Sequence, residues 1–403
     1  MSTGLLYNAW GIRGYDYLST KYLEGTVEFT IRHKSKELRC CICGSSDIIR
    51  RGATTRRFKG LPIGGKKVFF KLDVQRLECH QCTATRQARL EFADPYVSYT
   101  KGFERYALEL LQKMTIDDVA KHLGISWDVI KDIQKRNLEK RFSKPKLKDL
   151  VRIAIDEISV LKGNRYITVV MDLNTGAVIF VGDGKGADAL IPFWKRLKRA
   201  KVHIEAVATD MSAAYLSAIR EHLPDAIHVL DHFHVVKLYN EKLSDLRRDL
   251  YNQVTYDQKA VLKGSRWLLL KNPENLKADH DEPARLEAAL ALNKPLAIAY
   301  YLKEDLRTFW SQKNKEAADK EISAWIAKAE SSGVEMLKGF AKTLSTHREG
   351  ILAYYDCPIS TGPLEGMNNK IKTMKRQAYG YRDMAFFKLK ILAIHEARHE
   401  LVG

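Results

Sequence analysis

The 403-residue chain sets 67 lysines and arginines against 49 aspartates and glutamates, a formal charge of +18, and its pI is near 9.4. That length allows roughly two to four domains with cores of their own. The basic excess favours a polyanionic partner, because lysine and arginine displace phosphate counterions. No apolar run approaches a membrane span and the N-terminal MSTGLLYNAW is no signal peptide, so a cytoplasmic location is expected.

Five of the six cysteines crowd between Cys40 and Cys82, which points to a metal site more than to disulfides. The first forty residues carry few signals. CCIC then supplies Cys40 and Cys43, and CHQC supplies Cys79 and Cys82. Two such knuckles joined by strand-like sequence can fold four thiolates around one Zn2+, with Cys41 and His80 as rival ligands. The intervening RRFKGLPIGGKKVFFKLDV reads as a β-hairpin turning at Gly64-Gly65, with Val68, Phe70, Leu72 and Val74 alternating onto one face. The unit is therefore expected to be a zinc ribbon. Arg50, Arg51, Arg56, Arg57, Lys59, Lys66 and Lys67 decorate it, and of these Arg56, Arg57, Lys66 and Lys67 are the candidates for DNA-backbone contact.

After a loop near Pro95, an amphipathic helix is predicted from Lys101 to Lys113. In the following MTIDDVAKHLGISWDVIKDI, Thr115 and Asp118 resemble a capping pair. Ile116, Val119, Ala120 and Leu123 fall at helical spacing, and Gly124-Ile125-Ser126 makes a sharp turn. Ser126 would cap a second helix that turns Val129, Ile130 and Ile133 inward and offers Trp127, Asp128, Lys131 and Lys135 outward. This is the pattern of a helix-turn-helix; Trp127, Lys131 and Lys135 are its DNA-binding candidates.

Beyond the basic linker SKPKLKDL the pattern turns to α/β. Strands are predicted over 151–160, 165–173 and 177–183, joined by turns at Gly163-Asn164 and Asn174-Thr175-Gly176 as an antiparallel meander. A helix over 187–200 leads to a strand ending at Asp210, and a helix over 212–222 leads to the strand AIHVLD. Three strands, then helix-strand-helix-strand, is the order of a ribonuclease-H-like core. From about Val235 to Arg348 the chain reads as continuously helical, an all-helical insertion before the final helices. The expected fold is thus multidomain α+β: 1–95 with a zinc ribbon at about 38–85, 96–145 helix-turn-helix, 146–240 first part of the core, 241–350 insertion, and 351–403 final core helices.

Phosphodiester transfer needs acidic side chains that hold hard cations such as Mg2+ or Mn2+ beside the scissile phosphate. Asp156 lies mid-strand in VRIAIDEISV; alternation sends Glu157 to the opposite face. Asp210 ends a neighbouring strand. Glu365 lies in STGPLEGMNNKIKTMKR, where Pro363 suits a first helical turn capped by Thr361 or Gly362. Glu365, Asn368, Asn369, Lys372 and Arg376 share one helical face, and Leu364, Met367, Ile371 and Met374 another. Asp172 and Asp183 stand at strand ends, where aspartate commonly bonds backbone. Asp231 and His234, in LDHFHVVK, are secondary site candidates.

Asp156, Asp210 with its following AAY, the DHFH element at Asp231 and the EGMNNKIK element at Glu365 together resemble the DDE transposases of bacterial insertion sequences. With the cysteine knuckles and helix-turn-helix in front, the chain is most similar to the ISL-three family, although that family usually carries proline where Cys41 stands. The resemblance implies a ribonuclease-H-like core with Mg2+ (or Mn2+) held by Asp156, Asp210 and Glu365. It also implies an N-terminal half that binds the element's terminal inverted repeats. Hydrolysis at the element's ends would free 3′-hydroxyls that then attack target DNA, with Asn369, Lys372, Lys375 and Arg376 against the DNA. Because two ends must be joined, a homodimer or larger assembly on double-stranded DNA is expected. The rival readings are a DNA-binding regulator with an inactive core and a nuclease that cuts without joining.

Overall fold

The computed structural model describes residues 4–161 and 165–396, which separate after Ser143 into two units. In the first, α1 (Leu5–Trp10) precedes β1 (Tyr15–Leu23), β2 (Thr26–His33), β3 (Ile48–Ile63), β4 (Lys66–Cys79) and β5 (Thr85–Gln87). They form one sheet in the order β1-β2-β4-β3, with β5 also on β4. The hairpin β3-β4 turns at Gly64-Gly65, where Gly64 takes φ +55. Val68, Phe70, Leu72 and Val74 are all buried on its inner face, against Phe29 and Ile31 of β2. The opening residues that carry few signals thus supply two strands, and β2 joins β4 in parallel. Parallel pairing leaves no local turn signature, so it is invisible along the chain.

Lys59, expected among the surface cations of this hairpin, is buried instead. Its ammonium donates to the carbonyls of Leu123 and Gly124 at 2.5 and 2.7 Å. Burial, then the charges of Lys67 and Arg57, pull its pKa down to about 8. Those carbonyls close α3 (Ile116–Leu123), which follows α2 (Lys101–Leu110) and precedes α4 (Trp127–Phe142). Thr115 accepts from the Asp118 amide and donates to its carboxylate, as the capping pair requires. Gly124 ends α3 in the left-handed conformation, φ +59. Ser126 holds the N-cap position of α4 but accepts no capping bond. Val119, Ala120, Leu123, Ile130 and Ile133 share a core with Phe103 of α2. The first of these helices stops three residues earlier than predicted, because the chain turns at Leu111.

In the second unit β6 (Arg152–Leu161), β7 (Arg165–Asp172) and β8 (Val178–Asp183) form an antiparallel meander; its predicted Gly163-Asn164 turn lies outside the described residues. A short 3-10 turn and α5 (Ile191–Ala200) lead to β9 (Ala206–Thr209), and α6 (Ala213–His222) leads to β10 (Ile227–Leu230). The sheet order is β10-β9-β6-β7-β8, with β9 parallel to both β6 and β10. Ile153, Ile155, Val170 and Val207 bury one face against Phe193, Leu197, Tyr215 and Ile219 of α5 and α6.

Helices α7 (His232–Gln253), α8 (Tyr256–Leu262), α9 (Ser265–Leu270), α10 (Glu282–Ala291), α11 (Lys294–Arg307), α12 (Lys315–Ser331) and α13 (Glu335–Leu352) follow. They share an apolar core centred on Tyr239, Trp325 and Phe340. The polar atoms of two of these central residues are satisfied: Tyr239 donates to the Ala299 carbonyl at 2.7 Å and Trp325 to that of Leu302 at 2.8 Å. Leu230 of β10 belongs to the same core. A Cβ on Gly350 of α13 would lie 2.6 Å from the Leu230 side chain, so the helical segment packs directly onto the sheet edge. Then α14 (Gly362–Gln377) packs on β6 and α15 (Met384–Ala393) on β8.

Candidate functional site

Strand register places the acids. Arg152 to Ala154 pair with Ala206 to Ala208, and Ala206 to Thr209 pair with Ile227 to Leu230. Carried on along the same strands, that register sets Asp156, Asp210 and Asp231 in one row across β6 and the ends of β9 and β10. The Asp231 amide extends the ladder, donating to the Thr209 carbonyl at 3.0 Å. Asp210 and Asp231 thus stand at the carboxyl ends of parallel strands beside Asp156 in the middle of β6, and the carboxyl ends of such strands are where an open α/β sheet offers a binding crevice.

Asp156 accepts from its neighbour's amide, Glu157 N–H, at 2.8 Å and from Asn368 Nδ2 at 2.7 Å. Burial raises its carboxyl above the usual range; the Glu157 amide and His234 oppose that, while the charge of Asp210 adds to it. Glu157 does face the other way, as alternation requires, and its carboxylate accepts from Tyr215 at 2.8 Å and the Gly186 amide at 3.1 Å. Asp210 accepts from the Ser212 amide at 3.0 Å.

Asp231 is 1% exposed. It accepts from His234 Nδ1 at 3.0 Å and from the Thr361 hydroxyl at 2.6 Å. Burial alone would raise its carboxyl, but these two bonds, together with the charges of His234 and His232, outweigh it and the net shift is downward. His234 is raised, first by the Asp231 bond, against burial, and further by Asp156 and Asp210. The secondary candidates thus share one electrostatic neighbourhood with two of the primary ones.

Glu365 stands exposed in the first turn of α14, with Pro363 in that turn and Thr361 as N-cap. Instead of capping, Thr361 gives its hydroxyl to Asp231. Leu364, Met367, Ile371 and Met374 are buried, as the helical pattern predicts, but Asn368 is buried with them, 5% exposed, because it reaches Asp156. Among the described residues Glu365 makes no bond to Asp156 or Asp210, and the three carboxylates form no tight ligand group. Asn368, one turn after Glu365, and Thr361, one turn before it, are what tie this helix to the aspartates. Asp172 bonds its own turn through the Asn174 amide and the Thr175 hydroxyl, whereas Asp183 pairs with Lys388 at 2.6 Å instead of with backbone.

In the first unit the four sulfurs of Cys40, Cys43, Cys79 and Cys82 all lie within 4.8 Å of one another. Tetrahedral zinc with bonds of about 2.3 Å separates its sulfurs by about 3.8 Å, so this set fits it. Cys41 and His80 lie outside the group. Amides of Cys43 and Ile42 aimed at Cys40 pull its thiol down to about 6, toward the thiolate that a metal needs.

The cationic candidates divide. Arg57 pairs with Glu28 at 2.7 Å and lies over the Phe69 ring. Arg56 donates to the Val97 carbonyl at 2.7 Å. Lys66 and Lys67 are exposed, the ammonium end of Lys67 lying against Gly124 in the helix-turn-helix turn. Trp127 is 45% exposed, with the Lys131 ammonium 5.5 Å from its ring, and Lys135 is half-buried. On α14, Asn369, Lys372 and Arg376 are exposed and Lys375 is half-buried.

A transposase family profile matches residues 153–391, and the profile of the helix-turn-helix domain of transposase family ISL3 matches residues 88–136. The chain is 34% identical over 396 residues to the transposase for insertion sequence element IS1001 of Bordetella parapertussis, covering 96% of this chain and 97% of that one. It is 30% identical over 410 residues to the transposase for element IS1557 of Mycobacterium tuberculosis, covering 93% and 89%. It also has a remote likeness, at TM-score 0.36 and 12% identity, to the solved Drosophila P element transposase strand transfer complex, covering 73% of this chain and 91% of that one. A DDE transposase profile over the acid-bearing unit, a helix-turn-helix profile before it and relatives matched over most of their length place the chain in the ISL3 family of insertion-sequence transposases.

Proposed function

We propose that this transposase binds the terminal inverted repeats of its element, cleaves at the ends by metal-dependent hydrolysis, and joins the freed 3′-hydroxyls to target DNA. The second unit is read as a ribonuclease-H-like core, residues 146–240 and 351–403, interrupted by the helical insertion at 241–350. The observation that carries this reading is the row of Asp156, Asp210 and Asp231 across three adjoining strands, latched to α14 by Asn368.

Asp156, Asp210 and Glu365 would hold Mg2+ or Mn2+. The donor set fits a hard cation: all are carboxylate oxygens, and two buried acceptors beside them, Asp231 Oδ1 and Asn368 Oδ1, have no hydrogen-bond partner among the described residues. Bound there, the cation would supply Lewis acidity toward the scissile phosphate and the attacking water. The chain's own part is positional. Asn368 fixes the Asp156 rotamer, Thr361 and Asp231 set the start of α14, and Lys372, Lys375 and Arg376 offset phosphate charge along it. Cys40, Cys43, Cys79 and Cys82 would hold structural Zn2+. Lys66, Lys67, Trp127, Lys131 and Lys135 supply the DNA-reading contacts, with Arg56 and Arg57 aligned by their intramolecular partners. The working form on double-stranded DNA is a dimer or larger, acting in the bacterial cytoplasm.

The test pairs purified protein with a labelled duplex from the gene's flank and a target plasmid, comparing wild type with Asp156→Ala, with and without Mg2+. Metal-dependent end cleavage and joined product, both lost in the variant, support the reading. Specific binding without cleavage by wild type overturns it in favour of a regulator; cleavage without joining leaves a nuclease; cleavage that survives the substitution removes Asp156 from the site.

A further inference from the structure

The helical insertion carries a second cluster that the carboxylate site does not use. Where α7, α8 and α9 meet, Tyr256 is 87% and Trp267 65% exposed. Two of the rings in this corner have cations beside them. The Arg266 guanidinium lies 5.0 Å from the Trp267 ring centre, and Arg247 and the Lys259 ammonium lie 5.9 and 5.7 Å from that of Tyr251. Tyr256 stands one helical turn before Lys259 on α8. Arg247 also donates to the Leu262 carbonyl at 3.3 Å, which ties α7 to α8. Among the described residues no acid forms an ion pair with Arg247, Lys259 or Arg266, so their charge stays available.

A single exposed tryptophan needs no explanation. Rings interleaved with uncompensated cations do, since side chains of like charge are gathered where nothing in the fold neutralises them. We propose that this corner of the insertion binds a DNA strand with unstacked bases, the bases lying on Trp267 and Tyr256 and the phosphates running beside Arg247, Lys259 and Arg266. The charge alone would accept any DNA backbone. The open ring faces select an unpaired strand, because a base inside a duplex has no free π-face to offer. This deepens the transposase reading, whose chemistry frees a strand end, but does not depend on which carboxylates hold metal.

The test uses zinc-loaded full-length protein without Mg2+, so that nothing is cut. Fluorescence anisotropy compares a blunt terminal-repeat duplex, the same duplex with a single-stranded tail, and the tail strand alone. The tail should tighten wild-type binding about tenfold or more. Trp267→Ala with Tyr256→Ala should erase that gain and leave blunt-duplex affinity unchanged, with circular dichroism showing an intact fold. Arg266→Glu should also erase it. A tail that adds nothing, or a gain that survives the double substitution, overturns the proposal. Failure to bind the blunt duplex, with tail binding intact and lost in the variant, would instead sink the reading of the N-terminal half and leave this one standing.

Discussion

Asn368 Nδ2 lies 2.7 Å from Asp156 Oδ2, so a residue of the penultimate helix grips the central acid of the first strand of its sheet. A carboxylate that must face a cation loses effectiveness when its rotamer is free, and outer partners of metal-binding groups typically matter by about 10- to 100-fold. Asn368→Ala should therefore lower end cleavage by about that factor while DNA binding holds. Single-turnover cleavage and gel-shift titration on one preparation check it. Unchanged cleavage would mean the bond is only packing.

Thr361→Val keeps the shape of the N-cap residue of α14 and removes the donor to buried Asp231. Loss of a bond to a buried carboxylate should cost about 1–3 kcal/mol of stability. Urea unfolding of the variant should show it, along with reduced cleavage, because the helix that carries Glu365 starts there.

Removing zinc should unfold the knuckle end of the β3-β4 hairpin. One equivalent of zinc per chain is expected by elemental analysis. Cys43→Ser or Cys79→Ser should lower zinc content and weaken terminal-repeat binding, while Cys41→Ser should leave both unchanged, since its sulfur lies outside the group.

His228 bonds the Thr209 hydroxyl at 2.7 Å, and burial, then the charge of Arg220, lowers its pKa to about 4. The unfolded chain protonates this ring near 6.5, so between 6.5 and 4 it binds more protons than the folded state. The stability that neutral His228 contributes is thus present above about pH 6.5 and is lost as pH falls toward 4. His228→Gln should flatten this part of the acid-unfolding curve. A curve identical to wild type would assign the acid sensitivity elsewhere, His33, which burial also lowers to about 4, being one candidate.

What could be read along the chain was what repeats locally. Alternation at Val68 to Val74, the Thr115-Asp118 cap and the glycine turns mark their elements because neighbours in sequence are neighbours in space. The mid-strand position of Asp156 and the strand-end positions of Asp210 and Asp231 were legible for the same reason. Lys59 was misread because lysine in a strand is ordinarily solvated, and only the approach of the α3 carboxyl end gives its ammonium partners inside the unit. Asn368 looks no different from Asn369 in the sequence. Which of the two turns inward is decided by an acid on a strand 212 residues away. Thr361 reads as an ordinary cap, and its diversion to Asp231 depends on a contact across the whole insertion.

That long reach has a consequence for synthesis. A chain leaves the ribosome N-terminus first, so the unit ending at Ser143 is complete long before Thr361 and Asn368 emerge. On the proposed reading of the N-terminal half, a message cut short anywhere in the insertion would yield a product able to occupy an element's ends yet lacking the helix that fastens Asp156 and Asp231. Premature termination would then turn the element's own coding sequence into a source of competitors for its ends, and so into a brake on its spread.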